Sequence, residues 1–167
     1  MFIPVSVYCL FISWIYCSNN SFYFVIINLR LMFVTDWGSF KKIERFDMDG
    51  SDRKIIYSDD NTGWGRSITI DYSTSLIYWG DTVKKVIAEM TIDGKIIKTY
   101  NLDRQPNHLS VAASMLYWSD GAAIYGLFKQ NGTKVIHHNN FNGSPIYPND
   151  VKVFESYRQP QCMSCFC

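Results

Sequence analysis

The sequence predicts an all-β fold of repeated four-stranded units, the blades of a partial β-propeller, and three observations predict it. First, Phe33-Val34-Thr35-Asp36, Tyr78-Trp79-Gly80-Asp81 and Tyr117-Trp118-Ser119-Asp120 are versions of one motif, their aspartates 45 (36 to 81) and 39 (81 to 120) residues apart. Second, each motif is followed by a Gly turn, Asp49-Gly50, Asp93-Gly94 and Asn131-Gly132, and the glycines are 44 and 38 residues apart. The two signals therefore advance together. Third, nothing in residues 32–158 sustains a helical period. Coupled features recurring roughly every 40 residues mark an internal repeat, and four short strands per repeat of that length are the signature of a propeller blade.

Each element follows from local chemistry. Residues 43–48 lead into Gly50, and residues 32–56 supply the last three strands of a blade unless something upstream completes it. Residues 67–71 form the next β-rich run, before the Tyr78-Trp79 strand. Residues 84–92 lead into Asp93-Gly94 and 95–100 lead out; Val86, Ala88, Met90 and Ile92 alternate with mostly polar neighbours, as in a half-buried strand. Asp-Gly and Asn-Gly between such runs predict two-residue hairpin turns in which both central residues take positive φ. Residues 108–111 precede Tyr117-Trp118, 124–130 precede Gly132, and the run 150–154 follows. The expectation is two complete blades within 67–138, parts of a third, and a closing strand.

The motif order, with Asp36-Trp37-Gly38-Ser39, Lys42-Ile43-Glu44-Arg45 and Asp47-Met48-Asp49-Gly50-Ser51-Asp52-Arg53-Lys54, resembles the YWTD repeat. This is the low-density lipoprotein receptor class B repeat, found in low-density lipoprotein receptor-related proteins. Asn149-Asp150-Val151-Lys152-Val153-Phe154 and Arg158-Gln159-Pro160 resemble the end of that family's last blade, where the chain enters an EGF-like module. The sequence departs from the pattern at Phe33-Val34, in place of Tyr-Trp, and at Trp64-Gly65-Arg66-Ser67, where the family has a Pro and a Gly. The resemblance implies a ring of six blades, which at this repeat length needs roughly 240 residues. Residues 32–158 are then the C-terminal half of one, with two open faces and unpaired strand edges. A fragment or incomplete gene product is expected, the alternative being a short relative that dimerises. The remainder of the propeller and an EGF-like module, of which 159–167 would be the stub, are implied partners.

Residues 1–31 are different material. The first 29 carry no charged side chain and are rich in Phe, Ile, Val, Tyr and Cys. A secretory signal would need a basic start and a small-residue cleavage site. A membrane-spanning helix would need about 20 apolar residues, and Ser18-Asn19-Asn20-Ser21 interrupts the run. The third reading is an artefact of the gene model. The formal charge of +1, without a basic stripe, gives no indication of nucleic acid as a partner.

The five cysteines all lie outside 32–158. Cys162, Cys165 and Cys167 could begin a zinc site but lack a second ligand pair; the resemblance implies a disulfide module instead. Asp47-x-Asp49-Gly50 has the wrong spacing for a calcium loop. His137 and His138 are adjacent on a strand and point to opposite faces. No metal, cofactor or catalytic residue is expected, and no nucleophile elbow or phosphate loop occurs. Asn131-Gly132-Thr133 and Asn142-Gly143-Ser144 are glycosylation sequons, with Asn131 at a hairpin tip.

The resemblance implies a non-enzymatic extracellular binding module, on the outer side of the plasma membrane or secreted. It would belong to a lipoprotein-receptor-related receptor that takes part in ligand binding and release, and in endocytosis or signalling. The alternatives are a matrix scaffold, as in nidogen or EGF-precursor-like chains, or a fragment without independent function. Its partners would be extracellular proteins. The loops before the innermost strands form the family's binding face; carried over, they supply Trp64, Arg66, Gln105, Asn107, Tyr147 and Asn149 as ligand-binding residues. Asp36, Tyr78, Trp79, Asp81, Tyr117, Trp118 and Asp120 of the motifs, with Gly50, Gly94 and Gly132 of the turns, are expected to be structural.

Overall fold

The computed structural model describes residues 21–26, 30–36, 40–58, 65–138, 140–141, 144–145 and 151–153, with backbone alone for 21–26, 66, 136–138, 140–141 and 144–145. Strands but no helices occur among the described residues. Blade 1 contains β1 (Ser21–Ile26), β2 (Leu31–Asp36), β3 (Lys42–Asp47) and β4 (Lys54–Ser58). Blade 2 contains β5 (Gly65–Asp71), β6 (Leu76–Asp81), β7 (Val86–Met90) and β8 (Ile96–Asn101). Blade 3 contains β9 (His108–Val111), β10 (Met115–Ser119), β11 (Ile124–Phe128) and β12 (Lys134–His138). Each is an antiparallel sheet in chain order. The inner strands pack in sequence, β1 on β5 and β5 on β9. A two-stranded hairpin, β13 (Asn140–Phe141) with β14 (Ser144–Pro145), follows. The all-β partial propeller is thus observed.

Three details differ from the sequence expectation. Blade 1 has four strands, because β1 pairs with β2 from Ser21↔Asp36 to Ile26↔Leu31. The run Ser21-Phe22-Tyr23-Phe24-Val25-Ile26 falls inside the segment set apart as a leader. Its aromatic and β-branched residues suit a pleated surface, and its apolarity alone could not separate an inner strand from a leader. Residues 1–20 lie outside the described ones. Downstream, residues 151–153 carry no strand assignment. They lie beside β9, with the Val153 N–H donating to Ser110 Oγ at 2.9 Å.

The hairpins are the second difference. Gly50, Gly94 and Gly132 have φ of 87°, 90° and 72°, while Asp49, Asp93 and Asn131 are absent from the positive-φ residues. The Gly50 N–H donates to Asp47 O at 2.8 Å and the Asp47 N–H to Ser51 O at 2.8 Å; Thr91, Gly94 and Lys95 repeat this at 3.0 and 2.9 Å. These are three-residue loops with the glycine in the left-handed position. In blade 3 the Gly132 N–H reaches Phe128 O at 2.8 Å, one residue further back, so that turn is longer.

The third difference is in burial. In β7, Ile87, Ala88 and Met90 are all buried, so the strand is covered on both faces. The packing follows the period of two. Ile77, Trp79, Ala88 and Met90 join Phe33 and Ile43 in the core between blades 1 and 2. Tyr78 and Ile87 join Leu109, Leu116, Trp118 and Leu127 in the core between blades 2 and 3. Adjacent aromatics of the Tyr-Trp motif thus fill opposite interfaces. The second motif position faces the preceding blade and the first faces the next.

Candidate functional site

The antiparallel register divides each blade into two ends. Asp36 pairs with Lys42, Gly65 and Val86 with Asp81, and His108 and Ile124 with Ser119. All of these lie at one end, the upper end. The Gly-containing hairpins lie at the lower end, as the pairing of Met115 with Phe128 shows for blade 3.

Aspartates build the upper loops. Asp81 is fully buried. Its Oδ1 accepts the N–H groups of Val83 at 2.9 Å and Lys84 at 2.8 Å. Asp120 Oδ1 accepts the N–H groups of Ala122 and Ala123, both at 2.9 Å, and its Oδ2 accepts the Tyr125 hydroxyl at 3.0 Å. Burial alone would raise the Asp120 carboxyl, but these three donors outweigh it and hold it below the usual carboxylate range. Burial pushes the Tyr125 hydroxyl upward, and the Asp120 bond adds to this. The loop after Asp36, residues 37–39, lies outside the described residues.

The 105–107 loop is held in place. The Asn107 N–H donates to Ser119 O at 2.9 Å and Gln105 O at 3.1 Å. Pro106 is buried. A Cβ at Gly80 would lie 3.1 Å from its Cβ and Cγ, so the third motif position of blade 2 is small where this loop rests. Gln105 is exposed and Asn107 half-buried. Arg66 belongs to β5, whose neighbour is β9, which brings its backbone to the same end as the 105–107 loop. Trp64, Tyr147, Asn149 and the sequon at Asn142 fall outside the described residues. Asn131 is exposed at the lower end, its Oδ1 accepting the Thr133 N–H at 2.9 Å.

The lower end carries interblade ties that sequence reading missed. Lys129 Nζ donates to Asp71 Oδ2 at 2.7 Å, joining blade 3 to blade 2. Asp71 is buried, and burial would raise its carboxyl; Lys129 and Ser73 reverse that and hold it below the usual range. Lys129 Nζ also stands 5.5 Å from the Tyr78 ring centroid. The carbonyl of Lys129 accepts the Tyr100 hydroxyl at 3.0 Å and Lys98 Nζ at 2.6 Å. Burial and the Glu89 carboxylate raise the Tyr100 hydroxyl strongly. Between blades 1 and 2, Arg45 of β3 pairs with Asp93 in the Thr91–Gly94 turn. The Asp71-x-Ser73 pattern signals a local turn, but nothing in sequence points to partners 58 and 48 residues away. Among the described residues, no three His, Cys, Asp or Glu side chains gather as a metal site.

No protein-family model matches the chain. It is 34% identical over 91 residues to a vitellogenin receptor of Solenopsis invicta, covering 53% of this chain and 5% of that protein. It is 37% identical over 106 residues to the vitellogenin receptor Yl of Drosophila melanogaster, covering 61% of this chain and again 5% of the receptor. The chain therefore spans about a twentieth of the length of these receptors. Among solved structures, a chain of a nidogen/laminin complex superposes with a TM-score of 0.69 at 20% identity, covering 80% of this chain and 51% of that one. That likeness shows a shared propeller fold.

Proposed function

Since this chain is a segment of a low-density lipoprotein receptor class B (YWTD) β-propeller, we propose that it serves as a non-enzymatic, extracellular ligand-binding module of a receptor. The observation that carries this is the identity of 34% and 37% with two receptors across the repeats. Both relatives are vitellogenin receptors, so the ligand class we assign is a vitellogenin-type lipoprotein. The upper end supplies the contact through Arg66, Gln105 and Asn107; Trp64, Tyr147 and Asn149, which lie outside the described residues, are the further binding residues that the resemblance implies. Aromatic residues and Arg suit this role because they are enriched among the few residues that dominate interface energetics. Participation in endocytosis or signalling belongs to the whole receptor.

The test is interferometry of purified vitellogenin on the immobilised chain. Saturable binding is expected, with Arg66→Ala combined with Tyr147→Ala weakening it about tenfold or more, equivalent to about 1.4 kcal/mol per tenfold. Absence of binding removes the ligand assignment. Unchanged affinity in the double variant and in Gln105→Ala removes the upper end as the contact surface.

A further inference from the structure

We infer that the interface between blades 1 and 2 holds one structural water bridging Thr35 and Trp79, and that the interface between blades 2 and 3 has no counterpart. Thr35 stands two residues after Phe33 on β2 and shares its face toward blade 2. Trp79, in the second motif position of blade 2, faces back toward blade 1. Both residues are buried, at 1% and 5% exposure. Thr35 Oγ1 and Trp79 Nε1 are both buried polar atoms without a protein hydrogen-bond partner. Leaving such an atom unsatisfied in a buried site is costly.

The two residues line one small cavity, together with Asp36, Ile43, Tyr57 and Gly65. Its volume of about 10 Å³ is at the lower edge of the roughly 10–15 Å³ that one water requires on the same measure. Gly65 lets the indole pack closely on its backbone, because a Cβ there would overlap Trp79 Nε1. The same contact puts the indole N–H at the cavity wall. The chemistry is complementary: the indole can only donate and the Thr hydroxyl can accept or donate, so a water accepts from Trp79 and bonds Thr35.

Blade 3 supplies the internal comparison. Trp118 Nε1 is likewise buried and unpartnered. The position facing it, equivalent to Thr35, is Gly80; an added Cβ there would lie 2.8 Å from Ser67 Oγ and 3.1 Å from the Pro106 ring, and Ser67 Oγ donates to the Pro106 carbonyl at 3.4 Å. The hydroxyl beside Gly80 is thus already engaged with the Pro106 carbonyl, whereas Thr35 Oγ1 has no protein partner, and the Pro106 ring takes up the space at Gly80 that a bridging water would need.

The test is a crystal structure of the 167-residue chain, at a resolution that shows ordered water, for the wild type, Thr35→Val and Thr35→Ser. A single density peak is expected about 2.7–3.2 Å from both Thr35 Oγ1 and Trp79 Nε1. It should be lost in Thr35→Val, kept in Thr35→Ser and absent beside Trp118 Nε1. If Thr35→Val does not fold, Trp79→Phe removes the N–H while keeping an aromatic ring and reads the same loss. No peak in the wild type, or a peak of unchanged occupancy in Thr35→Val or Trp79→Phe, overturns the inference. An equal peak beside Trp118 overturns the contrast between the interfaces.

Discussion

At the scale of single residues, the motif aspartates anchor the upper loops. Asp120 satisfies two backbone N–H groups and one hydroxyl, so Asp120→Ala leaves those groups without their acceptor. A loss of about 1–3 kcal/mol is expected, read as a lower midpoint in denaturant unfolding. An unchanged midpoint would show that water replaces the carboxylate at no cost. The buried Asp71–Lys129 pair is more sensitive. Lys129→Met leaves the buried carboxylate its Ser73 hydrogen bonds but removes its counter-charge, and removing one partner of such a pair costs about 3–5 kcal/mol. The Asp71 carboxyl lies below its ordinary value in the folded protein. Its contribution is therefore present above the unfolded value of about 3.9 and lost as pH falls through the folded value. Stability of the wild type should drop on acidification below about pH 4, and Lys129→Met should flatten that drop. A drop of equal size in both proteins would assign the acid sensitivity to other carboxylates.

At the scale of elements, the hairpin glycines separate a local requirement from a tertiary one. Gly50 and Gly94 share the left-handed conformation, which costs a residue with a Cβ roughly 1–2 kcal/mol. Beyond this, Gly50 has open space around an added Cβ, whereas a Cβ added at Gly94 would overlap the Ile56 carbonyl oxygen. Ile56 is the residue β4 passes over at its register shift, and the blade 2 hairpin leans on it. Gly50→Ala should therefore cost only the conformational penalty, and Gly94→Ala distinctly more, with the adjacent Arg45–Asp93 pair disturbed as well. Equal unfolding midpoints for the two variants would mean that the hairpin tip moves away freely. Both turn positions are legible in the sequence. The close approach is not, because it depends on how far blade 2 leans over blade 1.

At the scale of the whole molecule, stability resides in the faces between blades. The face of blade 3 turned away from blade 2 carries Met115, Tyr117, Ile124 and Phe128. Phe128 is 41% exposed. A few hundred Å² of such surface, at about 25 cal/mol per Å², amounts to several kcal/mol, a large part of a typical margin of about 5–15 kcal/mol. A polypeptide holding no more than these three blades is expected to self-associate, since terminal repeats without caps leave apolar faces wet. Sedimentation velocity of the 167-residue chain at micromolar concentration should show species above the monomer. A monodisperse monomer with one cooperative unfolding transition would mean that blade 3 is covered from within the chain.

What the sequence determined by itself is the periodic part of this protein: the blade repeat, the strands around the Tyr-Trp motifs, and the glycines that turn each hairpin. These depend on φ preference and side-chain alternation, which act over a few residues. The tertiary structure alone decided which side chains meet across blades, as with Asp71 and Lys129, Arg45 and Asp93, or Thr35 and Trp79. It also decided that β7 is covered on both faces, and that Ser21–Ile26 completes blade 1. Of the proposed binding residues, it tied the backbone around Gln105 and Asn107 to the strand end at Ser119. The physical reason is distance along the chain: local preference sets the shape of each blade, while the meeting of residues about 40 to 60 positions apart is set by how one sheet packs on the next.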